Sequence, residues 1–218
     1  MIHLSKNVNP LVLDYLKSKH YKINLISGNQ AVDKSIRSHA DLYMCRLSAN
    51  DDTGVYHGLE SPKSPYPFDV SYNAVCIGKY FIHSLKYTAP DLLSKITDLN
   101  MVKINVKQGY TKCNMVILND TCAITSDKGI FDTLKSEAPE LDILPVSPKF
   151  VRLDGFPYGF LGGASGRVYD EIVFHGDLSK HPDFQSICDF IKSCGLKIKY
   201  FTEFPLTDIG SIIEEATP

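Results

Sequence analysis

The residues best suited to chemistry lie in four short segments spread along the chain, 39–45, 109–114, 160–166 and 205–210. When these segments are aligned, equivalent positions are occupied by Asp41, Lys112, Gly162 and Asp208. Cys113 follows Lys112, and His39 and Tyr110 precede the aligned positions by two residues. If the segments face one another, two carboxylates, an ammonium and a thiol share one cavity, with His39 and Tyr110 at its rim.

These side chains suit the binding of a cation and nucleophilic chemistry. Lys112 gives Cys113 an electropositive neighbour, which favours the reactive thiolate. The spacing of His39 and Asp41 can hold the imidazole in one tautomer. Asp41 and Asp208 repel each other unless a proton, Lys112 or a bound cation lies between them. The alternative is structural: Cys113 is then a small buried residue in a tight turn, and His39 is only hydrogen-bonded.

The glycine pair Gly162–Gly163 predicts a close approach of backbone segments at a crowded point. It belongs to neither a GxGxxG nor a GxxxxGK[ST] pattern, so the sequence predicts no phosphate loop and no cofactor. Ser165 lacks the G-x-S-x-G context of a nucleophile elbow. We count Gly162 and Gly163 among the ligand-binding residues because their backbone would line the same cavity.

A repeated hairpin pattern positions these segments. Short apolar or β-branched runs flank a two-residue turn three times, which is typical of β-hairpins. The predicted hairpins are 75–84, 116–126 and 167–177. Each is followed by a run of helical periodicity and then by another short strand. The predicted helices begin at Pro90, at a cap formed by Ser126 or Asp127, and after Ser179 with Gly195 as C-cap.

The first unit lacks one hairpin strand. Residues 1–5 match only the second hairpin strand, Asn9-Pro10 begins a helix, and 21–26 forms the following strand. We expect the missing strand to come from Ile209–Ile213, which would close the chain into a ring without an exposed sheet edge. The sequence therefore predicts a single α/β domain, 1–218, built from units at about 1–45, 73–113, 114–165 and 166–213.

Residues 46–71 do not fit a unit and are rich in turn-forming residues. This insertion could be a lid, a peripheral hairpin or a degenerate fifth unit. An ordinary α/β domain with coincidental alternation is the competing interpretation of the whole pattern.

Composition narrows the function classes. The net charge is −2, so no overall basic field favours nucleic acid or an anionic membrane as partner. No apolar run reaches the roughly 20 residues that span a bilayer, and the N-terminus lacks the features of a signal peptide. The six cysteines form no CxxC motif and suit free thiols in a reducing compartment. We therefore expect a cytoplasmic protein; its oligomeric state is not predicted.

The chain resembles the pentein, or guanidino-group-modifying-enzyme, fold, an α/β-propeller of repeated units closed by its C-terminal strand. More closely, it is similar to an uncharacterised bacterial family assigned to that fold. The motifs that carry this resemblance are 108–113 (QGYTKC), 125–130 (TSDKGI), 162–166 (GGASG) and 206–211 (LTDIGS).

The resemblance implies a site for a small cationic ligand, a guanidino or amino compound. Catalytic penteins use a cysteine nucleophile on the guanidino carbon, a histidine for proton transfer and acidic residues that hold the substrate. By residue type, Cys113 would be the nucleophile, His39 the acid and base, and Asp41 and Asp208 the carboxylate partners, in a cysteine-dependent hydrolase or amidinotransferase.

Two alternatives stay open. Those enzymes place the cysteine in a glycine-rich turn near the chain end, whereas the turn 162–166 has none, which favours a non-catalytic binding or interaction module. A metal-dependent hydrolase using His175, Asp177 and His181 is a third interpretation, although Asp177 is better explained by the helix that follows. We expect no metal site.

Overall fold

The computed structural model describes residues 1–48 and 54–216, a mixed α/β chain built from small sheets. Its strands are β1 (Ile2–Ser5), β2 (Ile23–Ile26), β3 (Met44–Arg46), β4 (Val55–His57), β5 (Val75–Ile77), β6 (Tyr80–His83), β7 (Val102–Asn105), β8 (Met115–Ile117), β9 (Cys122–Thr125), β10 (Asp142–Pro145), β11 (Ser165–Val168), β12 (Glu171–Phe174), β13 (Lys197–Lys199) and β14 (Ile213–Glu214). Its α-helices are α1 (Pro10–Ser18), α2 (Pro90–Asp98), α3 (Thr111–Asn114), α4 (Lys128–Glu137) and α5 (Phe184–Ser193). Short 3-10 helices are formed by Ala40–Leu42, Leu85–Tyr87 and Leu178–Lys180.

Four of the sheets share one plan. An antiparallel pair of strands is followed by a helix, and the chain returns as a third strand parallel to the second strand of that pair. The strand orders are β5-β6-β7, β8-β9-β10, β11-β12-β13 and β14-β1-β2. Helices α2, α4, α5 and α1 provide the respective crossovers, as parallel strands require. The predicted hairpin-helix-strand repeat is confirmed.

The C-terminal strand completes the first sheet, as predicted. His3 pairs with Ile213 and Ile2 with Glu214 in antiparallel register. The predicted strand 209–213 is wrong in its bounds, because β14 begins only at Ile213. Gly210 and Ser211 have left-handed φ values of 75° and 68°, which no extended strand accommodates.

The segment 46–71 contributes a small sheet of its own rather than a plain loop. Strand β3 begins just before it, at Met44, and pairs antiparallel with β4. No helix or third strand completes this sheet within the described residues. Of the three alternatives for this segment, a lid, a peripheral hairpin and a degenerate fifth unit, the structure shows a hairpin.

The helix ends follow their capping residues. The Asn9 side chain accepts from the N–H of Leu11 ahead of Pro10, and Asp127, rather than Ser126, accepts from the N–H of Ile130. Helix α5 starts at Phe184, because the expected start near Ser179 is a separate 3-10 turn capped by Asp177. Gly195 follows α5 with φ 74°, as expected of a C-terminal glycine.

The hydrophobic core lies between neighbouring sheets. Ile2 and Leu4 of β1 pack with Val168 and Val173 of the β11-β12-β13 sheet. Equivalent clusters join that sheet to β8-β9-β10, β8-β9-β10 to β5-β6-β7, and β5-β6-β7 to β3-β4. Ala40, Met44 and Ile213 then join the β3-β4 hairpin to the first sheet. Each sheet therefore packs on the next, and the last packs on the first.

No helix in the described parts of the chain is long and apolar enough to cross a membrane.

Candidate active site

The predicted site segments each lead into the first strand of a sheet. His39 and Asp41 precede β3, Lys112 and Cys113 lie in α3 before β8, the pair 162–163 precedes β11, and Asp208 precedes β14. The residue before the remaining sheet, Asn73, lies ahead of β5 and was not predicted. Its position before the hairpin 75–84, matching that of the other segments, is the sequence signal that could have found it.

Asp41, Cys113 and Asn73 form one hydrogen-bonded group. The Cys113 thiol donates to Oδ2 of Asp41 at 3.1 Å, and Asn73 Nδ2 donates to the Cys113 sulfur at 3.2 Å. The Cys113 N–H donates in turn to Oδ1 of Asn73 at 3.2 Å. All three side chains are buried, so the sulfur is held between an acceptor and a donor.

Lys112 reaches Asp41 through Ser211. The Ser211 hydroxyl donates to Oδ2 of Asp41 at 2.7 Å, and Lys112 Nζ donates to Ser211 Oγ at 3.1 Å and to the Met115 carbonyl at 3.4 Å. The expected electropositive contact of Lys112 with Cys113 is therefore replaced by a contact with Ser211. Ser211, which the sequence did not indicate, links the two charges.

Asp208 is fixed by backbone donors. Its Oδ1 accepts from the N–H of Gly210 and its Oδ2 from the N–H of Phe160, both at 2.9 Å. His39 Nδ1 lies 3.8 Å from Oδ1 of Asp208. The carboxylate is thus held next to the imidazole by one donor from its own loop and one from the segment 160–166.

His39, Cys113 and Asp208 converge at the base of one pocket. One ligand-forming atom from each lies within 4.8 Å of the other two, and all three residues are buried. The pocket has a volume of about 220 Å³. A small molecule seated there would touch a thiol, an imidazole and a carboxylate together, and the same donor set could hold a metal ion.

The walls of this pocket are apolar and aromatic, so only its base is polar. Tyr110, which the sequence placed at the rim, forms part of the wall. The other wall residues are Ile36, Leu153, Phe156, Pro157, Tyr158 and Phe160. Five of these six lie outside the four predicted segments, and Phe160 is the first residue of the segment 160–166.

Tyr110 is held by the segment 46–71. Its hydroxyl donates to Oδ2 of Asp69 at 2.8 Å, and the ring of Tyr66 lies 5.6 Å from its own, centroid to centroid. The segment therefore supports one wall of the pocket from behind.

Four other predicted site residues lie outside the lining of this pocket. Asp41 is behind Cys113, and Lys112 lines a separate small cavity of about 40 Å³. A Cβ on Gly162 would lie 2.4 Å from the Met115 carbonyl oxygen, and one on Gly163 would lie 2.2 Å from Oδ1 of Asp208. The predicted close approach at the glycine pair is confirmed.

Burial dominates the electrostatics of the site. It lowers the pKa of His39 to about 4 and raises the pKa of Asp208 to about 6. Burial also raises the pKa of Asp41 and lowers the pKa of Lys112. The pKa of the Cys113 thiol is raised well above its ordinary value by burial and then by Asp41 and Asp208. The resting site therefore holds a neutral imidazole and a protonated thiol, not the thiolate that Lys112 was expected to favour.

The alternative metal residues near His175 have structural partners. His175 Nε2 accepts from the N–H of Asn9, and its Nδ1 donates to the Thr207 carbonyl, both at 3.0 Å. Asp177 accepts from the N–H of Ser179 at 3.0 Å, and His181 Nδ1 accepts from the N–H of Asp183 at 3.1 Å. These contacts explain the three residues as turn and capping groups.

The comparisons with known proteins give a family but no described activity. Residues 3–213 match a protein family described as "Family of unknown function (DUF6873)". No curated protein gives a significant match to the chain.

Proposed function

Since this chain belongs to the DUF6873 family of unknown function, we propose its function from its own site: the pocket above His39, Cys113 and Asp208 binds a small amino or guanidino cation. The observation that carries this proposal is the convergence of these three buried groups within 4.8 Å at the base of a pocket of about 220 Å³.

We place the pocket at the axis of a pentein-like ring of five sheets. The C-terminal strand in the first sheet and the packing of each sheet on the next support this arrangement. So does the position of Asp41, Asn73, Cys113 and Asp208, each in the segment that leads into a different sheet. On such a plan the segments before the first strands meet at the centre.

The polar base of the pocket suits a cation. Asp208 faces the pocket, and its ionised form would accept hydrogen bonds from an ammonium or guanidinium head group. The half-buried Lys112 donates to Ser211 and not to Asp208, which leaves the carboxylate available to a ligand.

The walls indicate the rest of the ligand. Tyr110, Tyr158 and Phe160 offer aromatic faces to a cation and contact area to an apolar body. No Lys or Arg is among the described residues that line this pocket, so nothing there would pair with a ligand carboxylate. The ligand class is therefore an amine or guanidine with an apolar substituent, rather than an amino acid.

Cys113 gives the site a chemical step. A bound cation beside the sulfur favours the thiolate, which offsets the effect of Asp41 and Asp208. The thiol proton passes to neutral His39, the sulfur adds to the guanidinium carbon, and an amine leaves with that proton. Water then frees the carbon from sulfur in a hydrolase, or a second amine does so in an amidinotransferase.

A binding module without catalysis is the second candidate function. The observation that favours it is the hydrogen bond from the Cys113 thiol to Asp41, which keeps the sulfur protonated in the unliganded protein.

Calorimetric titration with alkyl- and arylguanidines, with the matching amines and with arginine tests the ligand class. We expect saturable binding of the first two groups, weaker binding of arginine, and loss of binding in Asp208→Asn. Asp154→Asn, whose side chain is 80% exposed, is the matched control and should bind normally. Binding that survives Asp208→Asn, or a preference for arginine, would refute the assignment.

Mass spectrometry of the incubated ligands separates the two candidate functions. Turnover that is lost in Cys113→Ser identifies the enzyme, whereas a ligand recovered intact by a protein that still binds it identifies the binding module.

A further inference from the structure

A second cluster of metal-binding side chains lies away from the pocket, where the two ends of the chain meet. It consists of His3 in β1, His57 in β4 and Glu215 just after β14. One ligand-forming atom from each lies within 4.8 Å of the other two. Three segments distant in sequence therefore bring two imidazoles and a carboxylate to one point.

Glu215 bridges the two histidines. Its Oε2 lies 2.7 Å from Nε2 of His3, and its Oε1 lies 3.0 Å from Nε2 of His57. The backbone fixes Glu215, because its N–H donates to the Met1 carbonyl at 2.8 Å. Both imidazoles hydrogen-bond the carboxylate through Nε2, so a bound ion would replace the proton in each of these two contacts.

Asn24 supports His3 from behind. Its Nδ2 lies 2.9 Å from Nδ1 of His3. Turning the amide by 180° would put Oδ1 there as an acceptor for an Nδ1–H group and free the Nε2 lone pair for a metal. A metal-binding histidine commonly has such a partner on its other nitrogen.

The burial of the cluster suits an ion that enters from solvent. The side chain of His3 is 3% exposed, that of Glu215 24% and that of His57 52%. The half-exposed His57 leaves one side of the cluster open, where water could complete the coordination.

We propose that His3, His57 and Glu215 form a binding site for a divalent transition-metal ion of the Zn²⁺ class. Two imidazoles and one carboxylate are a zinc donor set and leave a fourth position for water. A bound ion would join β1, β4 and the segment after β14, and so tie the closing strand to its neighbours.

Calorimetric titration of the metal-free, full-length protein with Zn²⁺ tests this site, and the Cys113→Ser variant is titrated in parallel to exclude binding at the central pocket. We expect one equivalent in both proteins and a higher melting temperature with Zn²⁺. Wild-type protein that takes up no Zn²⁺, or uptake that Cys113→Ser abolishes, would overturn the proposal.

Replacing a ligand gives the sharper test. His57→Ala and Glu215→Gln should lower the affinity by more than about 100-fold, because even changes behind a ligand cost 10- to 100-fold. Asn24→Ala should lower the affinity for Zn²⁺ by about 10- to 100-fold. His20→Asn removes an exposed histidine outside the cluster and should bind like the wild type. Unchanged affinity in His57→Ala would refute the site. Because the His57 side chain is half-exposed, misfolding would not explain a loss of affinity in that variant.

Co²⁺ loading gives an independent readout. A site of nitrogen and oxygen ligands shows no thiolate-to-cobalt charge-transfer band, whereas binding at Cys113 would show one and contradict the assignment.

Discussion

The Cys113 thiol donates a hydrogen bond to Oδ2 of Asp41 at 3.1 Å, and both groups are buried. The carboxylate therefore stabilises the thiol over the thiolate, and together with burial it raises the pKa of Cys113. In the unliganded protein we expect Cys113 to react with iodoacetamide only well above its ordinary pKa. Mass spectrometry of each cysteine across a pH series measures this directly.

Asp41→Asn isolates the contribution of the carboxylate. Removing the negative charge should lower the pKa of Cys113 and speed its alkylation at fixed pH about tenfold. Asp154→Asn, on the surface, should leave the rate unchanged. An alkylation rate that is equal in Asp41→Asn and wild type would mean that burial alone sets the pKa.

Asp208 should make ligand binding depend on pH. Burial raises its pKa from 3.8 to about 6, so the folded state favours the neutral form between these values. A cation needs the ionised form, so affinity should be constant above pH 6 and fall by about tenfold per pH unit below it. Calorimetry from pH 5 to 8 would show this break, and a flat profile would contradict the role of Asp208.

The raised pKa of Asp208 affects stability in the opposite direction: ligand binding improves as the pH rises, whereas the free energy of unfolding falls. Because the folded pKa of Asp208 is raised, its contribution to the free energy of unfolding decreases as pH rises from 3.8 to about 6. Asp208→Asn removes this dependence but leaves one of the N–H groups of Phe160 and Gly210 without its acceptor, at a cost of about 1–3 kcal/mol. Urea unfolding at several pH values measures both effects.

Gly163→Ala should disturb the site through packing. Its Cβ would lie 2.2 Å from Oδ1 of Asp208, and its backbone is hydrogen-bonded on both sides, to Cys113 and to Ser211. We expect a stability loss of about 1–3 kcal/mol and loss of cation binding. The control Gly129→Ala, in the first turn of α4, meets only Oδ1 of Asp127 at 3.2 Å and should keep both properties. A Gly163→Ala protein with normal binding would mean that the carboxylate can move freely.

The closing strand should contribute strongly to stability. Ile213 is 3% exposed and packs on Ala40 and Met44, so Ile213→Ala should cost about 2–5 kcal/mol. Leu25→Ala in β2 of the same sheet removes a side chain that is 42% exposed and should cost about 0.5 kcal/mol or less. Equal losses in chemical denaturation would show that the closure adds little.

The repeat could be predicted because its signals are local. The turn Gly78–Lys79 and the cap at Asp127 each depend on only a few neighbouring residues, and the structure contains both. The bounds of the closing strand β14 could not be predicted, because Ile209 and Ser211 donate their N–H groups to the Gly163 carbonyl. Contacts with a segment about 46 residues away thus override the β-like run 209–213.

The polar base of the site was largely predictable and its surroundings were not. Asp41, Cys113 and Asp208 follow from aligning the units. Asn73 was missed because 46–71 does not match the repeat, so the segment between it and the hairpin 75–84 was not aligned with the other four. The wall residues Leu153 and Phe156 come from a connecting loop, whose path depends on long-range packing rather than on periodicity.

The pairing of β14 with β1 has a consequence for folding. Met1 and Glu215 are hydrogen-bonded neighbours although they lie 214 residues apart, so the first sheet carries the largest loop-closure cost of the chain and should form late. A circular permutant, joined at these ends and reopened at the turn 119–120 between β8 and β9, would transfer that cost to another sheet. Apart from the contacts of Asn119 with Thr121 and Cys122, its native contacts would be kept but formed in a different order. The sheet that assembles last would then be set by the connectivity of the chain.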